Sequence, residues 1–249
     1  MAVAIIQARM SSSRLPGKVL LPLGDGTALK CMVDRVRMAE TLEDAVVATS
    51  TDPSDDAIEA ECSILGIRCL RGDLDDVLSR FAMVARNVSN ASGVWVRLTA
   101  DCPLICPEII DATVSALVRD GADYISNSIQ PTYPRGLDAE AFTADALDRA
   151  YTSALTDFDR EHVTTWMIRH LRTGTSFPVL EPARRDWRLT IDHPEDYEVV
   201  WTIHNAIGAH GNSFTFDELL AYLDTHTKLA ALNSHHEASQ VSDRCDPSN

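Results

Sequence analysis

Residues 5 to 18 read Ile-Ile-Gln-Ala-Arg-Met-Ser-Ser-Ser-Arg-Leu-Pro-Gly-Lys, an apolar strand that ends in a loop of small residues and cations. A strand that runs out into such a turn leaves backbone N–H groups unpaired, and successive N–H groups in a turn form an anion site. Arg9, Arg14 and Lys18 add full positive charge, arginine as a bidentate fork and lysine as a point charge. The stretch therefore predicts a phosphate-binding loop after the first strand.

The charge of the whole chain limits what this loop can bind. The 249 residues include 37 acidic and 22 basic side chains, for a formal net charge of -15. Because nucleic-acid binding depends on neutralising many phosphates, so acidic a chain is not expected to bind nucleic acid. A small polyphosphate held in a local cationic pocket is compatible with this charge.

Length and hydropathy predict one large α/β domain, since 249 residues with 45% hydrophobic content can bury a sizeable core. No stretch approaches the roughly 18 consecutive apolar residues of a membrane span, and the chain opens on a core strand rather than a cleavable leader. We therefore expect a cytoplasmic protein with no membrane partner. The six cysteines have no paired Cys-x-x-Cys spacing, which predicts reduced, buried thiols rather than a zinc site.

Apolar β-branched runs alternate with segments of helical period, a pattern typical of βαβ units and a mainly parallel sheet. The predicted strands span residues 2–8, 45–50, 67–71, 93–99 and 123–127. The predicted helices between them span residues 28–40, 54–65, 75–88 and 107–119. The first part of the chain is thus predicted to form one sheet covered by helices.

The alternation changes after residue 128, where a turn-rich loop begins. Later elements are predicted as helices at 143–156, 160–172, 194–208 and 216–225 and as strands at 177–180 and 188–191. We interpret 131–178 as a small α/β insertion within one domain of residues 1–232. The polar, aperiodic residues 233–249 predict a disordered tail.

Two aspartates are expected beside the phosphate loop. Asp101 and Asp192 each follow a predicted strand, and ligands of such sheets bind outside the carboxyl ends of the strands. Two carboxylates facing a polyphosphate indicate Mg²⁺, which takes one or two carboxylates together with phosphate oxygens and water. The alternative is that each aspartate only caps the helix that follows it, since a proline stands two residues later in both places.

Further motifs accompany the opening stretch. They are Arg71-Gly72-Asp73 with Asp76-Val77-Leu78-Ser79-Arg80, Arg97-Leu98-Thr99-Ala100-Asp101-Cys102-Pro103-Leu104-Ile105, Arg160-Glu161-His162-Val163-Thr164, and Thr190-Ile191-Asp192. Over about residues 3 to 225 the chain resembles the cytidylyltransferases of the spore coat polysaccharide biosynthesis protein F type, relatives of the acylneuraminate and 3-deoxy-manno-octulosonate cytidylyltransferases. The resemblance implies a Rossmann-like three-layer fold of the nucleotide-diphosphosugar-transferase type. It also implies CTP as donor, Mg²⁺ or Mn²⁺, and transfer of CMP with release of pyrophosphate.

The resemblance also implies roles for individual residues. The nucleotide side would comprise Gln7, Ala8, Arg9, Ser11, Arg14, Lys18, Arg71, Arg80 and Asp101. Asp101 and Asp192 would hold the metal, and these two with Arg9 and Lys18 would be the catalytic residues. The acceptor side would comprise Tyr133, Arg135, Asp138, Glu140, Glu161 and His162. His162 is either a general base or a structural histidine at the start of a helix.

We therefore expect an enzyme that transfers CMP from CTP to an acidic or amino sugar for a surface polysaccharide. The same chemistry on a polyol phosphate or a phosphonate is one alternative, and a non-catalytic nucleotide-binding module is another. A glycosyltransferase is disfavoured, because such enzymes often carry an Asp-x-Asp metal motif after a strand, whereas Asp73-Leu74-Asp75 begins a helix here. A homodimer that pairs through the insertion at 131–178 is expected from the same resemblance.

Overall fold

The computed structural model describes residues 1–208 and 211–236. In this part of the chain the strands are β1 Ala2–Gln7, β2 Pro22–Leu23, β3 Gly26–Thr27, β4 Leu42–Ser50, β5 Arg68–Gly72, β6 Val94–Thr99, β7 Tyr124–Ser126 and β8 Glu140–Thr143. The α-helices are α1 Ala28–Val36, α2 Asp56–Leu65, α3 Val77–Asn87, α4 Pro107–Asp120, α5 Ala144–Ser153, α6 Asp157–His162, α7 Thr165–His170, α8 Pro194–Ile203, α9 Phe216–Thr225 and α10 Thr227–Ala230.

The main sheet of the described residues has the strand order β5-β4-β1-β6-β8-β7. Strand β1 is central and pairs in parallel with β4 and β6, where Ile5 lies opposite Val46 and Arg97. Strand β8 runs antiparallel between β6 and β7. The predicted mainly parallel sheet is confirmed, and the carboxyl ends of β1 and β6 lie side by side.

Helices cover both faces of this sheet, which gives the predicted three layers. Along β1, Ala4 and Ile6 face a core layer that α1, α2, α4, α8 and α9 complete. Val3 and Ile5 face the opposite layer, formed with α3, α5 and α7. Because successive side chains of a strand point to opposite faces, the unbroken apolar run of β1 before Gln7 is explained by its burial on both sides.

The block predicted as an insertion is continuous with this core. Strand β8 completes the main sheet, and α5 and α7 pack in the same apolar layer as Phe81 of α3. The helix predicted at 160–172 is divided into α6 and α7 at Val163, whose φ is 63°. That conformation is uncommon for a β-branched residue, so a propensity pattern does not reveal it.

Two predicted elements after residue 170 differ from the structure. The described residues 177–180 do not form the predicted strand. Pro178 has no N–H to donate to a neighbouring strand. Phe177 packs against Tyr133 instead, with ring centroids 5.3 Å apart. The strand predicted at 188–191 is reduced to one isolated bridge between Arg188 and Arg135. Asn233, the first residue of the predicted tail, is fully buried in a turn, and residues 237–249 lie outside the described part of the chain.

One crossing of two loops brings distant parts of the chain together at the carboxyl edge of the sheet. Arg135 N–H donates to Trp187 O at 2.9 Å, and Leu189 N–H donates to Arg135 O at 2.7 Å. Gly136 has a φ of 96°, and a Cβ there would lie 2.4 Å from the backbone carbon of Leu189. A further bond of 2.7 Å from Ile191 N–H to Asp101 O fixes Asp192 beside Asp101.

None of the helices in the described ranges combines the length and the apolar character that crossing a membrane would require.

Candidate active site

A cavity of about 920 Å³ opens at the carboxyl ends of β1 and β6. Most of the residues predicted to form the site line it: Gln7, Arg9, Arg14, Lys18, Asp101, Tyr133, Arg135, Asp138, Glu140, Glu161, His162 and Asp192. These residues come from positions 7 to 192. Gln7 ends β1 and Asp101 follows β6, while backbone hydrogen bonds from Leu189 to Arg135 and from Ile191 to Asp101 bring the later loops to the same edge. The nucleotide side and the acceptor side named in the sequence therefore face one common space.

Ala8, Ser11, Arg71 and Arg80 do not line the cavity within the described residues. Arg71 lies toward α2, where its guanidinium bonds Ser50 O at 2.8 Å and pairs with Glu59 at 2.8 Å. Arg80 is fully buried and donates to Leu74 O at 2.8 Å. Burial and then the nearby charge of Arg9 lower the pKa of Arg80 to about 10. A direct nucleotide contact of these four residues stays a prediction.

The phosphate loop turns back on itself by backbone hydrogen bonds. Gly17 adopts a left-handed conformation with φ 73° and donates its N–H to Met10 O at 3.0 Å. A 3₁₀ turn then begins at Lys18. Because glycine adopts positive φ without steric penalty, the Pro-Gly-Lys ending of the loop is what directs Lys18 inward.

Asp55, which the sequence did not single out, anchors this loop to the sheet. It is fully buried, and its Oδ1 accepts the N–H of Met10 at 2.7 Å. Its Oδ2 accepts the N–H of Ser50, at the end of β4, at 3.1 Å. A buried carboxylate that accepts backbone N–H groups makes charge-assisted hydrogen bonds, so the position of Met10 relative to β4 is fixed.

Lys18 lies between the two aspartates predicted to bind metal. Its Nζ is 2.6 Å from Oδ2 of Asp101 and 2.7 Å from Oδ1 of Asp192. Burial lowers the pKa of Lys18, but the charges of Asp101 and Asp192 outweigh burial and raise it above its ordinary value. Lys18 is therefore a stable cation, 9% exposed, at the base of the cavity.

Asp192 is surrounded by cations. Its Oδ1 also pairs with Arg14 at 2.7 Å, and its Oδ2 pairs with the buried Arg188 at 2.7 Å and with Arg135 at 3.7 Å. Burial acts to raise the pKa of Asp192, yet Lys18, Arg14 and Arg188 hold it well below its ordinary value. The carboxylate is thus ionised and gathers four cationic side chains around one point.

A second buried carboxylate supports this arrangement from below. Asp196 bonds Arg188 Nε at 2.8 Å and accepts the backbone N–H groups of Asp192 and His193 at 2.9 Å. The Asn233 amide donates to the oxygen that also accepts Arg188 Nε, Asp196 Oδ1, at 2.8 Å. Hydrogen bonds with Asp196 and Asn233 therefore fix the positions of Arg188 and Asp192 in the site.

The alternative that the two aspartates are helix caps is wrong. The cap residue of α8 is His193, and the cap residue of α4 is Cys106, five positions beyond Asp101 in the chain. Both carboxylates instead turn into the cavity toward Lys18. The two carboxylates lie side by side because Ile191 N–H bonds Asp101 O, and the local sequence of each aspartate does not reveal this contact.

The residues present fit a magnesium or manganese ion in kind. Among the described residues, no three His, Cys, Asp or Glu side chains come together in a way that could hold a metal. Asp101 and Asp192 nevertheless each direct one oxygen to the same cation, the Nζ of Lys18. Two carboxylates suit Mg²⁺, which completes its shell with phosphate oxygens and water.

On the acceptor side, Glu140 holds a buried network together. Its Oε2 accepts Tyr124 Oη at 2.7 Å and Thr164 Oγ1 at 2.6 Å, and its Oε1 pairs with Arg97. Arg97 in turn donates to Gln7 Oε1 at 3.1 Å. Glu140 therefore holds Arg97, and through it Gln7, in the lining of the cavity.

An aromatic wall and two polar side chains complete the acceptor side. Tyr133 stacks on Phe216 with ring centroids 5.5 Å apart, and burial raises the pKa of its phenol. Across the opening, Glu161 of α6 lies 3.8 Å from Arg9 of the phosphate loop. His162 at the end of α6 packs edge-on against Phe158, at 4.4 Å between centroids.

The cysteines behave as small buried side chains. The thiols of Cys31, Cys62, Cys102 and Cys106 are buried and free, and Cys69 is half-buried. Burial raises the pKa of Cys102 well above its ordinary value. A neutral, buried thiol beside Asp101 is a poor metal ligand, because metals bind the thiolate.

Comparison with known proteins gives one consistent result. Residues 3–233 match the sequence profile of the family described as Cytidylyltransferase. The chain is 39% identical to the spore coat polysaccharide biosynthesis protein SpsF of Bacillus subtilis, over 82% of this chain and 86% of that protein. It is 35% identical to the uncharacterized protein MJ1063 of Methanocaldococcus jannaschii, over 94% of each. The solved cytidylyltransferase of Leptospira borgpetersenii superposes with a TM-score of 0.84 at 28% identity, over 96% of this chain and 99% of that one.

Proposed function

The chain belongs to the cytidylyltransferase family, and from this premise we propose that its cavity transfers CMP from CTP to a sugar, with release of pyrophosphate, for the synthesis of a surface polysaccharide. The observation that carries the proposal is the cluster of Lys18, Arg14, Asp101 and Asp192 at the base of the cavity. Its cations would grip the triphosphate and its carboxylates would hold the divalent metal. A related sequence named for polysaccharide biosynthesis supports the role proposed for the product.

The proposed reaction is an in-line displacement at the α-phosphorus. An acceptor oxygen forms the new P–O bond, the bond between the α-phosphorus and the bridging oxygen breaks, and pyrophosphate leaves with that oxygen. Negative charge gathers on the α-phosphate oxygens and on the leaving pyrophosphate. Lys18 and Arg14 would stabilise this charge, and interactions that strengthen as charge develops raise turnover.

Asp101 and Asp192 would hold Mg²⁺ or Mn²⁺ in this site. When bound, the ion supplies charge neutralisation and orientation of the phosphate oxygens. Arg188 and Asp196 would keep Asp192 in place, since both are buried and bonded to each other and to the backbone. Asp55 would keep the phosphate loop at a fixed distance from these carboxylates.

The acceptor would lie between Tyr133 and α6. Tyr133 offers an apolar ring face, and Asp138, Glu161 and Arg185 offer polar groups that line the same cavity. Such a combination suits a sugar, with one apolar face and a rim of hydroxyl groups. His162 or Glu161 would take the hydroxyl proton as it leaves, because both line this side.

An anionic non-sugar acceptor is the second candidate. Arg97, Arg135 and Arg185 all line the cavity, and arginine binds phosphate or phosphonate oxygens bidentately. A polyol phosphate or a phosphonate would use these side chains. It would leave the nucleotide side of the proposal unchanged.

We also propose that the protein is a homodimer that pairs through residues 131–178. Leu155 within this block is 89% exposed, and Val179 just after it is 52% exposed. Leu155 is the most exposed large apolar side chain of the described residues, and pairing with a second copy would remove it from water. The replacement Leu155→Asp should shift the mass in light scattering from dimer to monomer, and a wild-type monomer would exclude the dimer.

The function is tested by pyrophosphate release from each of the four nucleoside triphosphates. Each would be combined with acidic sugars, amino sugars, polyol phosphates and phosphonates, with Asp101→Asn as control. We expect release from CTP with a sugar acceptor, and none in the control. Preference for another nucleotide would contradict the donor, and CTP binding without release under any acceptor would favour the non-catalytic module.

A further inference from the structure

We propose that the ammonium group of Lys18 occupies the metal position of the nucleotide-free protein, so that the divalent ion enters only together with the nucleotide. This inference rests on the proposed function, because it concerns the same two carboxylates. It makes Lys18 an exchangeable counter-ion in addition to a phosphate ligand. The order in which metal and nucleotide bind follows from it.

The first step is the competition for the same oxygen atoms. Nζ of Lys18 bonds Oδ2 of Asp101 at 2.6 Å and Oδ1 of Asp192 at 2.7 Å. A metal held by both carboxylates would need these oxygens at about 2.0–2.1 Å. An ammonium group and a dication that shared the same two oxygens would repel each other strongly, so one excludes the other.

The second step is the charge balance around the two carboxylates. Lys18, Arg14, Arg135 and Arg188 contribute four positive charges, all paired with Asp192. The carboxylates of Asp101, Asp192 and Asp196 contribute three negative charges. These paired groups therefore leave no carboxylate without a cation, so a free dication must displace one of the cations. A bound triphosphate makes the net charge of the site negative and can pair with Lys18, so a divalent ion can then bind the carboxylates.

The third step is that Lys18 can leave Asp192 while Arg188 cannot. Arg188 is 4% exposed and is fixed by Asp196, so Oδ2 of Asp192 stays paired. Lys18 and the half-exposed Arg14 share Oδ1 of Asp192, and both line the cavity. Lysine carries its charge on a flexible four-carbon stem, so it can follow an incoming phosphate. Oδ1 is therefore the oxygen that nucleotide binding releases.

The test is the binding of Mn²⁺ to the nucleotide-free protein, measured by the electron paramagnetic resonance signal of the free ion. Lys18→Met should bind one Mn²⁺ at least about tenfold more tightly than the wild-type protein. Lys30→Met is the matched control, because Lys30 also lies between two carboxylates, Asp25 at 3.0 Å and Asp34 at 2.9 Å, outside the cavity. It should bind Mn²⁺ as the wild-type protein does.

Two results would overturn the inference. One is a folded Lys18→Met protein whose Mn²⁺ affinity equals that of the wild type. The other needs no Lys18 variant: nucleotide-free wild-type protein that binds Mn²⁺ tightly, at a site lost in Asp101→Asn, would show that Lys18 does not exclude the ion. If Lys18→Met fails to fold, this second measurement decides.

The outcome is separable from that of the proposed function, because no nucleotide is present in the titration. Tight Mn²⁺ binding by Lys18→Met together with no pyrophosphate release by the wild type would support the exclusion of the metal by Lys18 and contradict the proposed CMP transfer. Pyrophosphate release by the wild type together with equal Mn²⁺ affinities of Lys18→Met and the wild type would support the CMP transfer and contradict the exclusion of the metal by Lys18.

Discussion

The ammonium group of Lys18 and the carboxylate of Asp192 lie 2.7 Å apart, although 174 positions separate them in the chain. Lys18 is placed by the turn at Gly17, and Asp192 by the bond from Ile191 N–H to Asp101 O. Neither position depends on the other's local sequence. The pair therefore connects the phosphate loop to the segment that precedes α8.

Lys18→Met should reduce the rate of pyrophosphate release by roughly a thousandfold. One cation at 4 Å from a unit charge, at an effective dielectric of about 20, contributes on the order of 4 kcal/mol before desolvation. Each 1.36 kcal/mol corresponds to about a tenfold change in rate. Lys30→Met should turn over as the wild type does, and a Lys18→Met enzyme with wild-type turnover would remove Lys18 from the reaction.

Asp55→Asn should raise the KM for CTP by roughly tenfold with a smaller change in kcat. The variant weakens the bonds to Met10 and Ser50, and loss of a charged hydrogen bond costs about 1.5–3 kcal/mol. Asp52→Asn is the matched control, because Asp52 lies three positions away and its carboxylate accepts two local bonds, from the N–H and the hydroxyl of Ser54, with no bond to the phosphate loop. Equal KM values for the two variants would show that Asp55 does not position the loop.

Gly136→Ala should lower the free energy of unfolding by more than about 2 kcal/mol, because strain and overpacking add. A Cβ at Gly136 would lie 2.4 Å from Leu189 carbon and 2.5 Å from Thr190 nitrogen, both backbone atoms that cannot easily move. Gly66→Ala is the control, since Gly66 also has positive φ, 60°, but a Cβ there meets nothing within 4 Å. Urea denaturation compares them; equal losses would mean that only backbone strain matters at Gly136.

Asp159 should contribute stability that depends on pH. Burial acts to raise its pKa, but bonds from Thr165, Arg169 and Thr156 lower it below its ordinary value. A group with a depressed pKa stabilises the fold above its unfolded-state pKa, about 3.9, and loses this effect as the pH falls through the folded-state pKa. Asp159→Asn should therefore be less stable than wild type by about 1–3 kcal/mol at pH 7.

The difference between Asp159→Asn and wild type should shrink as the pH falls below about 4, the reference pKa of aspartate. Chemical denaturation at pH 7, 5, 4 and 3 would measure it. A difference that stays constant over this range would mean that the bonds to Arg169 and Thr165 do not depend on ionised Asp159.

Local patterns were sufficient for the core of the fold. The apolar run at 2–8 predicts the strand Ala2–Gln7, and the helical period at 216–225 predicts the helix Phe216–Thr225, because both patterns are local. The strand Glu140–Thr143 was not predicted, since its antiparallel place between β6 and β7 is set by pairing partners far away in sequence. The division of the predicted helix 160–172 at Val163 is likewise a result of packing.

The site was predictable in composition more than in contacts. Asp101 and Asp192 each follow a predicted strand, and Lys18 ends the loop after the first strand, so all three positions can be read from sequence. Asp55 and Asp196 could not be singled out, because aspartate in the first turn of a helix most often serves only as a cap. Glu140 was predicted to touch the acceptor, but its bonds to Tyr124 and Thr164 depend on tertiary contacts that no spacing reveals.

The central claim is that the loop from Arg9 to Lys18 holds the triphosphate of CTP. Its most direct measurement is calorimetric titration of CTP, with Mg²⁺ present, into wild-type protein and into the double variant Arg14→Met and Lys18→Met. Since each charged hydrogen bond contributes about 1.5–3 kcal/mol, the double variant should bind CTP at least about a hundredfold more weakly. Lys30→Met should keep the wild-type Kd. CTP binding by the folded double variant with wild-type affinity would contradict the account.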